Sequence, residues 1–151
     1  NPGTIEYRYK TMLGSLCAGL AFSNASLGAV HAMAHSLGGF SDLPHGECNS
    51  LLLEHVMALN YDSCPARYEV VGKAMGLDLV SLSPDMRKER IINSIRNLRE
   101  ALGITDSLGD LGVTKADIPQ LAKNALHDPC MATNPRQPAA ADIERIYEEA
   151  L

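Results

Sequence analysis

The chain has 151 residues, 46% of them hydrophobic, with 13 basic and 18 acidic side chains and a formal charge of −5. That length suits one domain able to bury roughly 70% of its unfolded surface. No cluster of Lys and Arg invites nucleic acid, and no apolar run nears the ~18 residues of a membrane span; neither partner is expected. Cys17, Cys48, Cys64 and Cys130 form no C-x-x-C pair and are too sparse for a disulfide scaffold, so free thiols and a cytoplasmic location are expected. The opening residues lack a signal-peptide pattern. With Asn1 first and no Trp, the chain reads as a fragment whose missing partner is N-terminal.

In chain order the pattern is helical almost throughout. Residues 6–37 contain no proline, which permits one long helix or two in tandem. Residues 14–29 are rich in Gly, Ala and Ser. Each Gly costs about 1 kcal/mol of helix propensity relative to Ala, so this stretch predicts a central helix held by burial. Gly38-Gly39 should break that helix, with a loop over 40–44. A helix follows over 45–59, with Leu51, Leu52, Val56 and Leu59 on one face, and another over 62–76. Ser83-Pro84 caps and starts a helix running to Gly103. Thr114 and Asp117 resemble a capping box opening a helix to His127, and a last helix spans 140–150. No strand, repeat or low-complexity tract is expected. The fold class is an all-α helical bundle with short links.

Three of the five histidines, His31, His35 and His45, fall within fifteen residues. Neutral imidazole is a common ligand for iron, zinc and copper. His31 and His35, four apart, share a helix face and could converge on one ion. The zinc-protease helix H-E-x-x-H is not matched, because Ala32 stands where its glutamate belongs. Its extended form wants a histidine where Ser41 lies. A loop over Gly38, Gly39 and Gly46 could instead return His45 to His31. Without an ion, the same residues read as satisfied histidines in a polar groove.

The run Gly28-x-x-His31-x-Met33-Ala34-His35-x-x-Gly38-x(5)-Pro44-His45-Gly46 resembles the signature of the iron-containing (group III) alcohol dehydrogenases. The resemblance continues through Asn49-x-x-Leu52-Leu53-x-His55 and returns at Asp128-x-Cys130-x-x-Thr133-Asn134-Pro135-Arg136 and Asp142-Ile143. It implies the C-terminal helical domain of a dehydroquinate synthase-like two-domain dehydrogenase. An N-terminal dinucleotide-binding domain would be the missing partner, and the full-length protein a homo-oligomer. It further implies one divalent metal, Fe(II) or alternatively Zn(II), with His31 and His45 as two of four ligands. The other two, an Asp and a His, lie upstream in the family's pattern. His35 is then no ligand but faces the nicotinamide of NAD or NADP and the substrate, where it relays a proton. Phe22 and Cys130 would border a small-molecule alcohol or aldehyde.

The implied reaction interconverts a primary alcohol or diol and its aldehyde, and this chain alone should be inactive. Two other readings remain open: a non-catalytic helical interaction module, and a related metal-dependent polyol dehydrogenase or lyase. Elsewhere, His55 reads as a packed core histidine or a support for the site. His127 reads as a partner of a helix C-terminus, Arg136 as paired with a carboxylate, and residues 87–90 as a solvated face.

Overall fold

The computed structural model describes residues 3–151. Seven α-helices and no strand occur among the described residues: α1 (Ile5–Ala25), α2 (Ala29–Ser41), α3 (His45–Asn60), α4 (Pro65–Ala74), α5 (Pro84–Ala101), α6 (Ile118–His127) and α7 (Ala140–Glu149). Two 3₁₀ turns, Tyr61–Ser63 and Pro129–Thr133, join them. The all-α expectation holds.

The body forms around α2. Its Ala29, Ala32, Met33, Ala34 and Leu37 are buried, and the small alanines let neighbouring backbones close in. Helices α3 and α6 pack against it, and α7 lies across both. Leu52, Leu121, Ile143 and Tyr147 fill the space between. The Tyr147 hydroxyl donates to the Met33 carbonyl at 2.8 Å inside this core. A smaller cluster of Met57, Tyr61, Leu79 and Ile91 joins α3 to α4 and α5.

Local signals explain most element ends. Ser83 Oγ accepts from Met86 N–H, with Pro84 in the first turn, as expected. Gly76 and Gly103 carry φ of 82° and 81° and terminate the helices before them. The expected helix over 62–76 is split, because Pro65 starts a new helix after the 3₁₀ turn. The sixth helix begins at Ile118. Thr114 instead donates its N–H and hydroxyl to the Asp117 carboxylate in the turn before it.

Two expectations fail in informative ways. Gly38 and Gly39 do not break α2, which continues to Ser41 and ends where Asp42 turns left-handed at φ 52°. Packing outweighs the propensity cost. A Cβ on Gly38 would lie 3.5 Å from the Leu43 carbonyl and 3.7 Å from Cys48 Sγ, ordinary contact distances, so this glycine sits close against the returning loop without being required by it. The small-residue stretch is not a buried central helix either: none of α1's residues is buried. Ile5 is 82% exposed and Leu20 61%, because no element among the described residues covers this helix. No single described helix is long and apolar enough to cross a membrane; α1 and α2 pass only together, across a 105° bend.

Residues 87–90 are less solvated than expected. Arg87 is half-buried, donating to both Glu69 oxygens and to the Leu82 carbonyl. Lys88 reaches Asp62 at 2.8 Å.

Candidate metal centre

The first turns of α2 carry His31 and His35, and α3 opens on His45. The turn through Asp42 to Pro44 folds α3 back on α2, and the three rings meet. Ring centroids lie 5.3 Å apart for His31 and His45, 5.2 Å for His35 and His45, and 6.1 Å for His31 and His35. Geometry alone therefore groups all three, and the division into two ligands and one cofactor-facing residue rests on the resemblance.

The rings differ in their surroundings. His31 is half-buried, and its pKa is pushed down, first by desolvation and then by the neighbouring His45 and His35. That favours the neutral ring, the form that ligates metals. Asn49 Nδ2 lies 3.0 Å from both His45 Nε2 and the His45 carbonyl, which fixes the ring over the first turn of α3. Asn49 Oδ1 is buried with no partner among the described residues. His35 is more open, and its Nδ1 sits 2.9 Å from Asp128 Oδ2.

Asp128 follows α6 and caps the 3₁₀ turn Pro129–Thr133, its Oδ1 accepting the Cys130 N–H at 2.8 Å. Burial alone would raise its pKa. The Cys130 N–H bond and the bond to His35 outweigh that, and the carboxyl titrates below the usual range. The Cys130 thiol is pushed up, by burial first and then by Asp128. Ligand atoms of His35, Asp128 and Cys130 lie within 4.8 Å of one another. Beside His35, an open groove of about 690 Å³ runs between α2 and α6, past Phe40, Gln120 and Lys123.

The structure thus joins His31, His35, His45 and Cys130 in one region. Phe22 sits half-exposed near the end of α1, and among the described residues its ring makes no aromatic contact with the histidines. His55 belongs elsewhere, with Nε2 3.5 Å from Glu54 and Nδ1 3.4 Å from Glu149. Buried Glu54 is also held by Arg96 at 2.9 Å, so this is an ion-pair cluster joining α3, α5 and α7. His127 Nδ1 meets the Lys123 carbonyl at 2.7 Å, and Arg136 pairs with Asp142, both as expected.

Sequence reasoning gave Asp128 no role, although an Asp immediately before Pro129 is a turn-capping pattern. It also missed the amide pair beneath the site. The buried Asn134 and Asn60 exchange hydrogen bonds at 2.8 Å in both directions, and Asn134 Oδ1 accepts the Ala29 N–H at 3.0 Å. A side chain 105 positions away in sequence therefore does the work of a helix N-cap for α2.

The chain resembles known proteins along its whole length. The profile of the Fe-containing alcohol dehydrogenase family, C-terminal region, matches residues 1–151. Lactaldehyde reductase of Escherichia coli (strain K12) is 41% identical over 138 residues, covering 91% of this chain and 36% of the relative. NAD-dependent methanol dehydrogenase of Bacillus methanolicus is 36% identical over 151 residues, covering all of this chain and 40% of the relative. Among solved structures, a 1,3-propanediol oxidoreductase superposes with a TM-score of 0.88 at 42% identity, covering 91% of this chain and 36% of that one. The chain therefore spans less than half the length of these proteins.

Proposed function

The chain belongs to the Fe-containing alcohol dehydrogenase family, and from that premise we propose that it forms the metal-bearing helical part of an NAD(P)-linked alcohol dehydrogenase. The complete enzyme would interconvert a primary alcohol or diol and its aldehyde. The observation that carries this reading is the meeting of His31, His35 and His45 beside the Asp128–Cys130 turn.

The residues present fit a divalent ion of the iron or zinc kind. His31 and His45 are nitrogen donors with centroids 5.3 Å apart, and desolvation keeps His31 toward its neutral form. Two donors are half of a four-ligand shell, and the other two would come from polypeptide outside this chain. When bound, the metal would supply Lewis acidity toward an alcohol or carbonyl oxygen, and the nicotinamide would accept or donate hydride. This chain's own share is to present imidazoles, to hold a proton at His35 and to wall the pocket with Cys130 and Phe22. The dinucleotide site would belong to the remainder of the enzyme, for which the uncovered α1 offers an apolar docking face.

The test uses the complete protein, with metal content and alcohol oxidation measured in parallel for the parent, His31→Ala and His45→Ala. Each substitution should abolish turnover and lower bound Fe(II) or Zn(II) at least tenfold. Metal retained at full stoichiometry in both variants would refute the ligand assignment.

A further inference from the structure

We infer that Asp128 is a positioning residue that sets the tautomer of His35, directing the proton of the neutral ring to Nδ1 and leaving the lone pair on Nε2. The inference deepens the dehydrogenase reading and rests on it for the role of His35. The geometry of the carboxylate stands by itself.

Each oxygen of Asp128 has one assigned task. Oδ1 accepts the Cys130 N–H at 2.8 Å, and Oδ2 lies 2.9 Å from His35 Nδ1. An ionised carboxylate only accepts. His35 Nδ1 must therefore donate, and a neutral ring then has its lone pair on Nε2. Both partners are held before any ligand arrives. The Asp128 side chain is only 16% exposed, and its own carbonyl accepts the Met131 N–H, closing the turn around it. The helix bearing His35 is fastened by the Tyr147 hydroxyl on the Met33 carbonyl and by Asn134 on the Ala29 N–H. The pair joins residues 93 apart in sequence, so the tautomer is fixed by the tertiary fold. His35 would otherwise interconvert freely between two tautomers, only one of which can take a proton at Nε2.

Asp128→Asn discriminates sharply, because a carboxamide has one acceptor oxygen where the site uses two. If that oxygen keeps the Cys130 N–H, the NH₂ faces His35 Nδ1 and drives the proton to Nε2. The experiment labels histidine with ¹⁵N in the complete protein and reads the His35 ring nitrogens in the parent, Asp128→Asn and Asp128→Glu. The parent should show Nδ1–H and the Asn variant Nε2–H. The Asn variant should lose about 10²–10⁴-fold in kcat, the range for one positioned acid–base group, with metal content and KM for the nicotinamide little changed. Asp128→Glu should recover the tautomer and part of kcat.

A double-mutant cycle separates positioning from bulk structure: in a His35→Ala background, Asp128→Asn should cost no further kcat. An Nε2–H ring in the parent, an unaltered tautomer in the Asn variant, or an additive loss in the cycle would each overturn the inference. A parent protein with the Nδ1–H tautomer but no alcohol oxidation when loaded with metal and dinucleotide would overturn the dehydrogenase reading and leave the tautomer assignment standing.

Discussion

Asn134→Ala should be among the most damaging single changes available outside the histidine group. Asn134 is 93% buried, and its side chain takes part in four hydrogen bonds. It accepts from Ala29 N–H and Asn60 Nδ2, and donates to Asn60 Oδ1 and the Arg136 carbonyl. Truncation leaves the Ala29 N–H at the start of a buried helix without its cap, and leaves the Asn60 amide facing a void. Each stranded buried group costs about 1–3 kcal/mol, and a lost helix cap costs about 1 kcal/mol. With partial overlap between these terms, we expect a loss of about 3 kcal/mol, a large share of the roughly 5–15 kcal/mol that stabilises a domain. Urea unfolding with unchanged m would measure it. Asn134→Asp should fail in a second way: the carboxylate can still accept from Ala29 N–H, but it confronts the Asn60 carbonyl oxygen and cannot donate to Arg136. A loss below about 0.5 kcal/mol for Asn134→Ala, the range of ordinary surface changes, would refute the reasoning that this amide pair caps α2.

Three further outcomes follow from particular contacts. Gly72→Ala should destabilise by about 1–3 kcal/mol despite a better helix propensity, because its Cβ would lie 2.8 Å from Ile91 Cγ1 and 3.1 Å from Leu79 Cδ1; a rise in Tm would contradict this. The depressed Asp128 carboxyl makes a contribution that is full above the ordinary carboxylate range and drains away as pH falls through its folded pKa, so Tm should drop below about pH 4 and Asp128→Asn should flatten that part of the profile. Leu16→Lys should be tolerated, and should reduce association, in the 151-residue chain alone, where Leu16 is 59% exposed, yet should lower the yield and Tm of the complete protein; equal effects in both contexts would remove the case for α1 as a covered face.

The fold was legible wherever a local signal decided it. Ser83-Pro84, Gly76 and Gly103 act within a few residues of themselves, and they mark the ends they were expected to mark. Gly38-Gly39 carries the same kind of signal and does not act, because packing of α2 holds those residues helical. Long-range capping left little trace in the sequence. Asn134 and Asn60 look like ordinary turn and helix residues until the fold sets them 2.8 Å apart. In the histidine group the sequence supplied the residues and the structure supplied their meeting. Asp128 went without a role because its partner is 93 positions away and its local pattern reads only as a turn.

The failed expectation about α1 and the proposed two-donor share of a metal shell point the same way. Ile5, Tyr9, Met12 and Leu16 recur at intervals of four, three and four, which lays an apolar seam along one side of the helix. Gly14, Ala18, Ala21 and Ala25 lay a small-residue track along another, where a second backbone could approach closely. A helix apolar on several sides belongs in an interior, yet here its large apolar side chains face solvent. Burying one such side chain is worth about 1.5–3 kcal/mol, so the sequence of α1 is chosen for cover that the described residues do not provide. The relatives it matches are between two and three times as long as this chain. An apolar surface that calls for burial and, on the proposed ligand reading, two imidazoles that call for two further donors would both be satisfied by polypeptide lying against α1 and reaching His31 and His45.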